Sequence, residues 1–349
     1  MAKGLVWFRT DLRLDDNPAL NAALNECEEV LAIYIFSHYQ WEVHNESNIK
    51  HEFLINNLIL LKESLENLGI PLIAINTESY KTLPIDLSSF SAGQKIDHVF
   101  WNNEFGLNET DRDLASIEVL KKINIESSSF NDQVVYKPGF LKTGQGKPFS
   151  VFTPFKRRWV ENFDMNFFDM VRPLKSKRSS PIQSDISALK FVKTHSANID
   201  LWPAGEDAAQ DKLANFLKSK AESYSESRNS PIVDGTSRIS PYLALGILSP
   251  KRCILEGLKL NNFEFTSGNK GICKWIDEIV WREFYRNIMY SFPKVSQNRP
   301  FKDYTTSIQW RHSSEELEAF YAGKTGFPIV DAGIRQMLAE GWMHNRLRM

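Results

Sequence analysis

The chain has 349 residues, 42% hydrophobic and 24% charged, with a formal net charge of −1; this is room for two domains of ordinary soluble composition. No apolar run approaches the ~20 residues of a membrane helix. The short apolar stretch from Gly4 to Phe8 cannot serve as a secretory signal core, so a cytoplasmic protein with no membrane partner is expected.

Strand-like and helix-like patterns alternate over the first 130 residues. Leu5–Phe8 is a short apolar run, and Asn17 followed by Pro18 reads as a helix cap with proline at the first helical position. Residues 30–36 (VLAIYIF) read as a buried strand. Residues 47–68 have helical spacing and end at Gly69. Further apolar runs at residues 71–75, 98–101 and 123–125 complete a series of βα units, which predicts a parallel sheet covered by helices. No GxGxxG follows the first strand. Residues 175–181 (KSKRSSP) read as linker. Beyond Gly205 helical periodicity dominates, with starts near Glu206, Ser240, Gly271, Ser314 and Asp331.

The charge is divided unevenly. Residues 1–130 hold 10 basic against 20 acidic side chains, whereas residues 131–349 hold 32 against 23. Only the second part is suited to a polyanion. Cys27, Cys253 and Cys273 are far apart with no paired spacing, which argues against a disulfide framework and against zinc; no metal site is expected. The sequence GKT at residues 323–325 lacks the glycine that a phosphate-binding P-loop needs five positions earlier, where Glu318 stands.

Residues 271–290 (GICKWIDEIVWREFYRNIMY) carry the most informative pattern. At about 100° per residue, Trp275, Glu278, Arg282, Tyr285, Arg286 and Met289 share one face, and Ile276, Val280, Phe284 and Ile288 the other. A Glu278–Arg282 ion pair at i,i+4 would account for part of the mixed face. It does not account for Trp275 and Trp281 among the charges. Aromatics interleaved with arginines suit base stacking together with phosphate neutralisation. A second cluster, DGTSRISP at residues 234–241, sets small hydroxyls beside a glycine and a helix start. This can cap the helix through Ser240 or present donors to phosphate.

Together these segments resemble the photolyase/cryptochrome family. The resemblance rests on VWFRTDLRL at residues 6–14 followed by DNP, VFTPF at 151–155, GTSRIS at 235–240, WREFY at 281–285, GFPIVD at 326–331 and GWMHNRLRM at 341–349, all in the family's order and spanning the chain. It implies an α/β N-terminal domain with a parallel, Rossmann-like sheet (residues 1–132), an interdomain linker (133–204) and an all-helical domain that holds FAD and DNA (205–349).

The family correspondence places Tyr224, Thr236, Ser237, Arg238, Ile239 and Ser240 on the phosphate and ribose side of FAD, and Trp275, Trp342, Asn345 and Arg348 beside the flavin. Glu278, Trp281, Asn345 and Met349 would line a lesion cavity, and Arg228, Arg282 and Arg346 would hold the DNA strand. Glu278 and Trp310 would be catalytic: Glu278, held near neutral, donating to a pyrimidine, and Trp310 as the outermost member of a photoreduction chain. The implied activity is light-driven splitting of cyclobutane pyrimidine dimers in damaged DNA by a monomeric enzyme, with a signalling cryptochrome as the rival reading. His344 followed by Asn345 favours the cyclobutane-dimer subtype over the (6-4) subtype. His44, Asn108 and Glu109 match contacts of a second, light-harvesting chromophore, 5,10-methenyltetrahydrofolate, although Ser296 and Gln297 depart from the folate binders' pattern. Family members also continue beyond the position of Met349, so residues 1–349 alone are expected to be an inactive fragment.

Overall fold

Successive side chains on a strand point to opposite faces, and the first strand uses both. The computed structural model describes residues 2–168, 170–190 and 195–348. Five strands, β1 (Lys3–Phe8), β2 (Glu29–Phe36), β3 (Leu72–Asn76), β4 (His98–Asn102) and β5 (Glu126–Phe130), pair in parallel in the order β3-β2-β1-β4-β5. Leu5 and Trp7 of β1 face one apolar layer with Leu31, Leu83 and Leu120. Val6 and Phe8 face another that runs on continuously into the helical part, reaching Tyr242 and Trp275. All eight residues of β2 are buried, as an interior strand covered on both faces requires.

Helices α1 (Pro18–Glu26), α2 (His38–Val43), α3 (Asn48–Glu66), α4 (Leu83–Gly93) and α5 (Leu107–Lys122) connect the strands. Then follow α6 (Phe152–Glu161), α7 (Glu206–Ser219), α8 (Tyr224–Ser227), α9 (Ser240–Ala244), α10 (Pro250–Leu260), α11 (Lys270–Ser291), α12 (Ser314–Tyr321) and α13 (Pro328–Glu340). The Asn17 cap is formed, its side chain accepting from Leu20 N–H with Pro18 behind it. The fifth strand differs from expectation. It is the serine run 126–130 rather than the isoleucines at 123–125, because an edge strand needs little apolar cover. The polar stretch 175–181 is not a free linker: Arg178 bridges to Glu29, and its N–H donates to Glu28 C=O at 2.8 Å.

Two junctions lock the sheet to the helices. Arg13 is buried, paired with Asp132, and donates to Gly246 C=O at 2.9 Å. Gly246 has φ +65°, and a Cβ there would lie 2.0 Å from Thr10 C=O, so no larger residue fits. At the second junction Glu283 of α11 is buried. Its carboxylate accepts from Val135 N–H (2.8 Å), Tyr136 N–H (3.0 Å) and Trp159 Nε1–H (3.0 Å). Burial pushes Glu283 up to about 7 from its usual 4.5, opposed by those three donors.

Folding therefore takes up a proton at Glu283 between these values. The stability this contributes is complete below pH 4.5 and is lost as the pH rises through about 7. Glu283→Gln would set an amide N–H2 against backbone or indole donors, and is expected to cost about 1–3 kcal/mol in a urea melt at pH 6. It should also flatten the decline in stability between about pH 5 and 8 relative to the parent. A variant with the parent's stability and pH slope would remove this clamp.

Candidate functional site

The site is built around α11. Its cap is Asn269, whose side chain accepts from Gly271 and Ile272 N–H at 2.8 and 3.1 Å. The buried stripe is broader than the sequence pattern indicates: Ile272, Trp275, Ile276, Ile279, Val280, Glu283, Phe284 and Asn287 all point inward. Trp275 belongs to this stripe, 1% exposed and tilted against Phe216 at 5.3 Å, which in turn packs on Tyr224. It therefore forms the floor beneath the mixed face instead of lying on it.

Glu278 does not pair with Arg282. It is ion-paired to Arg228, which also lies over the Tyr224 ring at 5.4 Å. The near-neutral Glu278 of the sequence reading thus has a guanidinium partner. Arg282 turns the other way, donating to Gln133 C=O (2.5 Å) and Leu243 C=O (3.2 Å). Burial and the neighbouring Arg286 lower it to about 10. In this arrangement Arg282 ties the junction segment to α11. Trp281 is stacked flat on Phe152 of α6 at 3.7 Å, with Tyr285 stacked beyond it at 5.6 Å. Lys156 of α6 pairs with Asp277 at 2.6 Å, so α6 holds this aromatic wall in register.

The second cluster folds into an anion-receptive loop. Arg238 is left-handed (φ +50°), followed by Ile239 in the right-handed helical region. Consecutive residues of opposite hand turn their N–H groups into one concavity, a nest for negative oxygen. Among the described residues, the N–H groups of Thr236, Ser237, Arg238 and Ile239 have no carbonyl partner. Arg238 Nε is likewise buried without a hydrogen bond. Such unmet donors fit the diphosphate of FAD. Ser240 joins Trp342 and Arg348 in lining a cleft of about 330 Å³. Trp342 is buried, whereas Asn345 and Arg348 are exposed, with Arg348 Nε donating to Met343 C=O at 2.9 Å. Arg346 donates twice to Asn229 Oδ1, at 3.0 and 2.7 Å, one residue from Arg228. Met349 lies outside the described residues.

A separate polar cluster forms at the C-terminal ends of β2 and β4. His44 Nε2 lies 3.5 Å from Asn108 Nδ2 across 64 residues of sequence. Glu109 folds back on the start of its own helix, its carboxylate occupying the space a Gly106 side chain would need. Burial, then Glu104, raise Glu109. Trp310 is 74% exposed, between Ser307 and α12.

A family model described as DNA photolyase matches residues 4–176, and one described as the FAD binding domain of DNA photolyase matches residues 275–349. The chain is 37% identical, over its whole length and 73% of the relative's, to the deoxyribodipyrimidine photo-lyase of Escherichia coli. The chain belongs to the DNA photolyase family. The photo-lyase of Vibrio cholerae is 33% identical, over 99% of this chain and 74% of its own. Among solved structures, a class III photolyase from Agrobacterium tumefaciens superposes with a TM-score of 0.87 at 31% identity, covering all of this chain and 71% of that one. A Synechocystis cryptochrome shares the fold at 22% identity and a TM-score of 0.82, over all of this chain and 73% of its own.

The chain's α/β sheet region and helical C-terminal part agree with the fold class expected from the sequence. Four residues around the site escaped the sequence reading. Phe152 lay inside the VFTPF motif, but no spacing rule links it to Trp281. Glu283 was indistinguishable from a surface acid. Glu340, which pairs with Arg238 at 3.0 Å, stands 102 residues away from it. Arg286 shares the mixed face, yet nothing in the sequence marks it as a guanidinium that has neither hydrogen bond nor ion pair among the described residues and faces Glu104 and Glu109.

Proposed function

We propose that this chain is a deoxyribodipyrimidine photo-lyase that splits cyclobutane pyrimidine dimers in damaged DNA with light and FAD. The observation that carries the proposal is the surface of α11, where the Trp281–Phe152 stack and the Arg228–Glu278 pair lie one helical turn apart, and Ser227, next to Arg228, packs against Gly235 at the start of the loop of unmet donors at residues 236–239. Bound FAD supplies the light-driven electron that the cleavage requires.

The residues divide the remaining work. Thr236, Ser237, Arg238, Ile239 and Ser240 hold the diphosphate, and Tyr224 and Trp275 wall the cavity. Trp342, Asn345 and Arg348 close its other side. A dimer pairs and stacks poorly, so turning it out of the duplex costs less than turning out normal bases. Trp281, backed by Phe152, then offers an apolar wall in place of the lost stacking. Arg228 and Arg346 meet the flanking phosphates. A phosphate that draws Arg228 toward itself frees Glu278 to hydrogen-bond the pyrimidine edge. Arg282 supports this face from behind through Gln133 and Leu243. Trp310, at the surface, is suited to pass electrons inward from solvent.

Residues 1–132 serve as the antenna domain, 133–204 as the interdomain segment and 205–349 as the FAD and DNA domain. The cluster of His44, Asn108 and Glu109, with the Arg286 charge facing Glu109, suits 5,10-methenyltetrahydrofolate. We place the enzyme in the cytoplasm as a monomer. Among the described residues no helix is long and apolar enough to cross a membrane.

The proposal is tested by titrating the protein in the dark with a duplex carrying one cyclobutane dimer and with the same duplex undamaged. Lesion DNA should bind more tightly, and both affinities should fall with salt at a log–log slope of about −0.9 per phosphate contacted. Equal affinity for the two duplexes would count against a lesion site.

A further inference from the structure

Arg238 is held on three sides. Its Nη1 lies 3.0 Å from Glu340 Oε2, its Nε lies 3.6 Å from Asp234 Oδ1, and its guanidinium lies over the Trp342 ring at 4.6 Å. The backbone beneath it is left-handed, a conformation an arginine does not adopt without reason. Glu340 is itself fixed. Its C=O accepts from Trp202 Nε1–H at 2.6 Å, and the preceding Ala339 C=O accepts from Asn198 N–H at 2.7 Å. Gly341 then ends α13 at φ +66°, where a Cβ would lie 2.6 Å from Ile49 Cδ1. The last turn of α13 is thereby anchored to segment 198–202 and to α3, and it presents a carboxylate at a fixed point beside the anion-receptive loop.

We infer that Glu340 is a positioning residue for the FAD diphosphate, acting through Arg238. An unrestrained arginine must give up rotamer freedom when it grips a phosphate. The carboxylate and the indole face remove that freedom beforehand, leaving the nest and the guanidinium already oriented. The ion pair leaves other N–H donors of the guanidinium for an anion. Glu340 touches no cofactor atom; its effect is carried by the orientation of Arg238.

This inference rests on the assignment of residues 236–240 to FAD, and the experiment separates the two. Apoprotein prepared from the full-length gene product is titrated with FAD and with riboflavin, which has no phosphate, by flavin fluorescence. Glu340→Gln is expected to weaken FAD about tenfold and riboflavin less than about twofold. Glu340→Asp, which restores the charge, should recover most of the loss. In an Arg238→Ala background Glu340→Gln should have no further effect on FAD. Parent protein that binds no FAD would refute the FAD assignment itself. Parent protein that binds FAD alongside a Glu340→Gln variant of equal or tighter affinity would overturn the positioning role alone, as would equal losses for FAD and riboflavin. Should Glu340→Gln not fold, the Asp variant decides: a residual loss for FAD that exceeds the loss for riboflavin sustains the inference, and an unchanged FAD affinity or losses shared equally by both ligands refute it.

Discussion

Replacing Trp281 with alanine is expected to weaken dark binding of a dimer-containing duplex by about 10- to 100-fold, with undamaged duplex changed by less than about threefold. Stacking of a base on an aromatic side chain is worth roughly 1–3 kcal/mol, and a flipped dimer presents two bases to the wall. Phosphate contacts, which dominate binding of undamaged DNA, do not involve the indole. The substitution also removes the partner of Phe152, stacked at 3.7 Å, so some stability will be lost. Trp281→Phe restores a ring against Phe152 and separates the two effects: it should regain stability and most lesion affinity. A parallel loss for both duplexes in the Ala variant would assign Trp281 to packing alone.

The second large effect is expected at Glu278. Its carboxylate sits one turn of α11 from Trp281 and is paired with Arg228 in the DNA-free protein. Glu278→Ala should lower the single-flash repair yield of pre-bound lesion about tenfold while changing lesion affinity less than about threefold. A hydrogen bond donated from Glu278 to a pyrimidine carbonyl gains strength as negative charge develops there, so its loss falls on the reaction more than on binding. Removal of the acid also leaves Arg228 free for phosphate, which offsets part of any affinity loss. Glu278→Gln keeps a hydrogen-bonding group and should retain most of the yield. An unchanged yield in Glu278→Ala would leave Glu278 as the partner of Arg228 only.

Much of this was legible in the sequence because it follows local periodicity. The strands at residues 3–8, 29–36, 72–76 and 98–102 are apolar runs, and the cap at Asn17 and the starts at Glu206, Ser240 and Ser314 carry their own chemistry. What escaped was decided by tertiary neighbours. β5 is a strand of serines because it lies at the sheet edge. Glu283 and Asn287 point inward because the junction segment needs acceptors there: Asn287 Oδ1 takes Gly139 N–H at 3.1 Å, as Glu283 takes Val135 and Tyr136. A helical wheel cannot tell such an acid from a solvated one. The i,i+4 reading of Glu278 with Arg282 failed for the same reason. Each had a better partner 39 or more residues away: Arg228 for the acid, and two backbone carbonyls for the base.

The claim that this chain repairs cyclobutane dimers by light is tested most directly by illuminating the reduced, full-length protein with a duplex carrying one dimer. Chromatography then counts intact dimers against a dark control and an illuminated Trp281→Ala control. Dimers are expected to disappear only in the light, with two undamaged pyrimidines restored for each dimer lost. Repair in the Trp281→Ala control should be much reduced at lesion concentrations below its weakened dissociation constant. Flavin-loaded protein that binds the lesion duplex yet leaves the dimer count unchanged after illumination would contradict it.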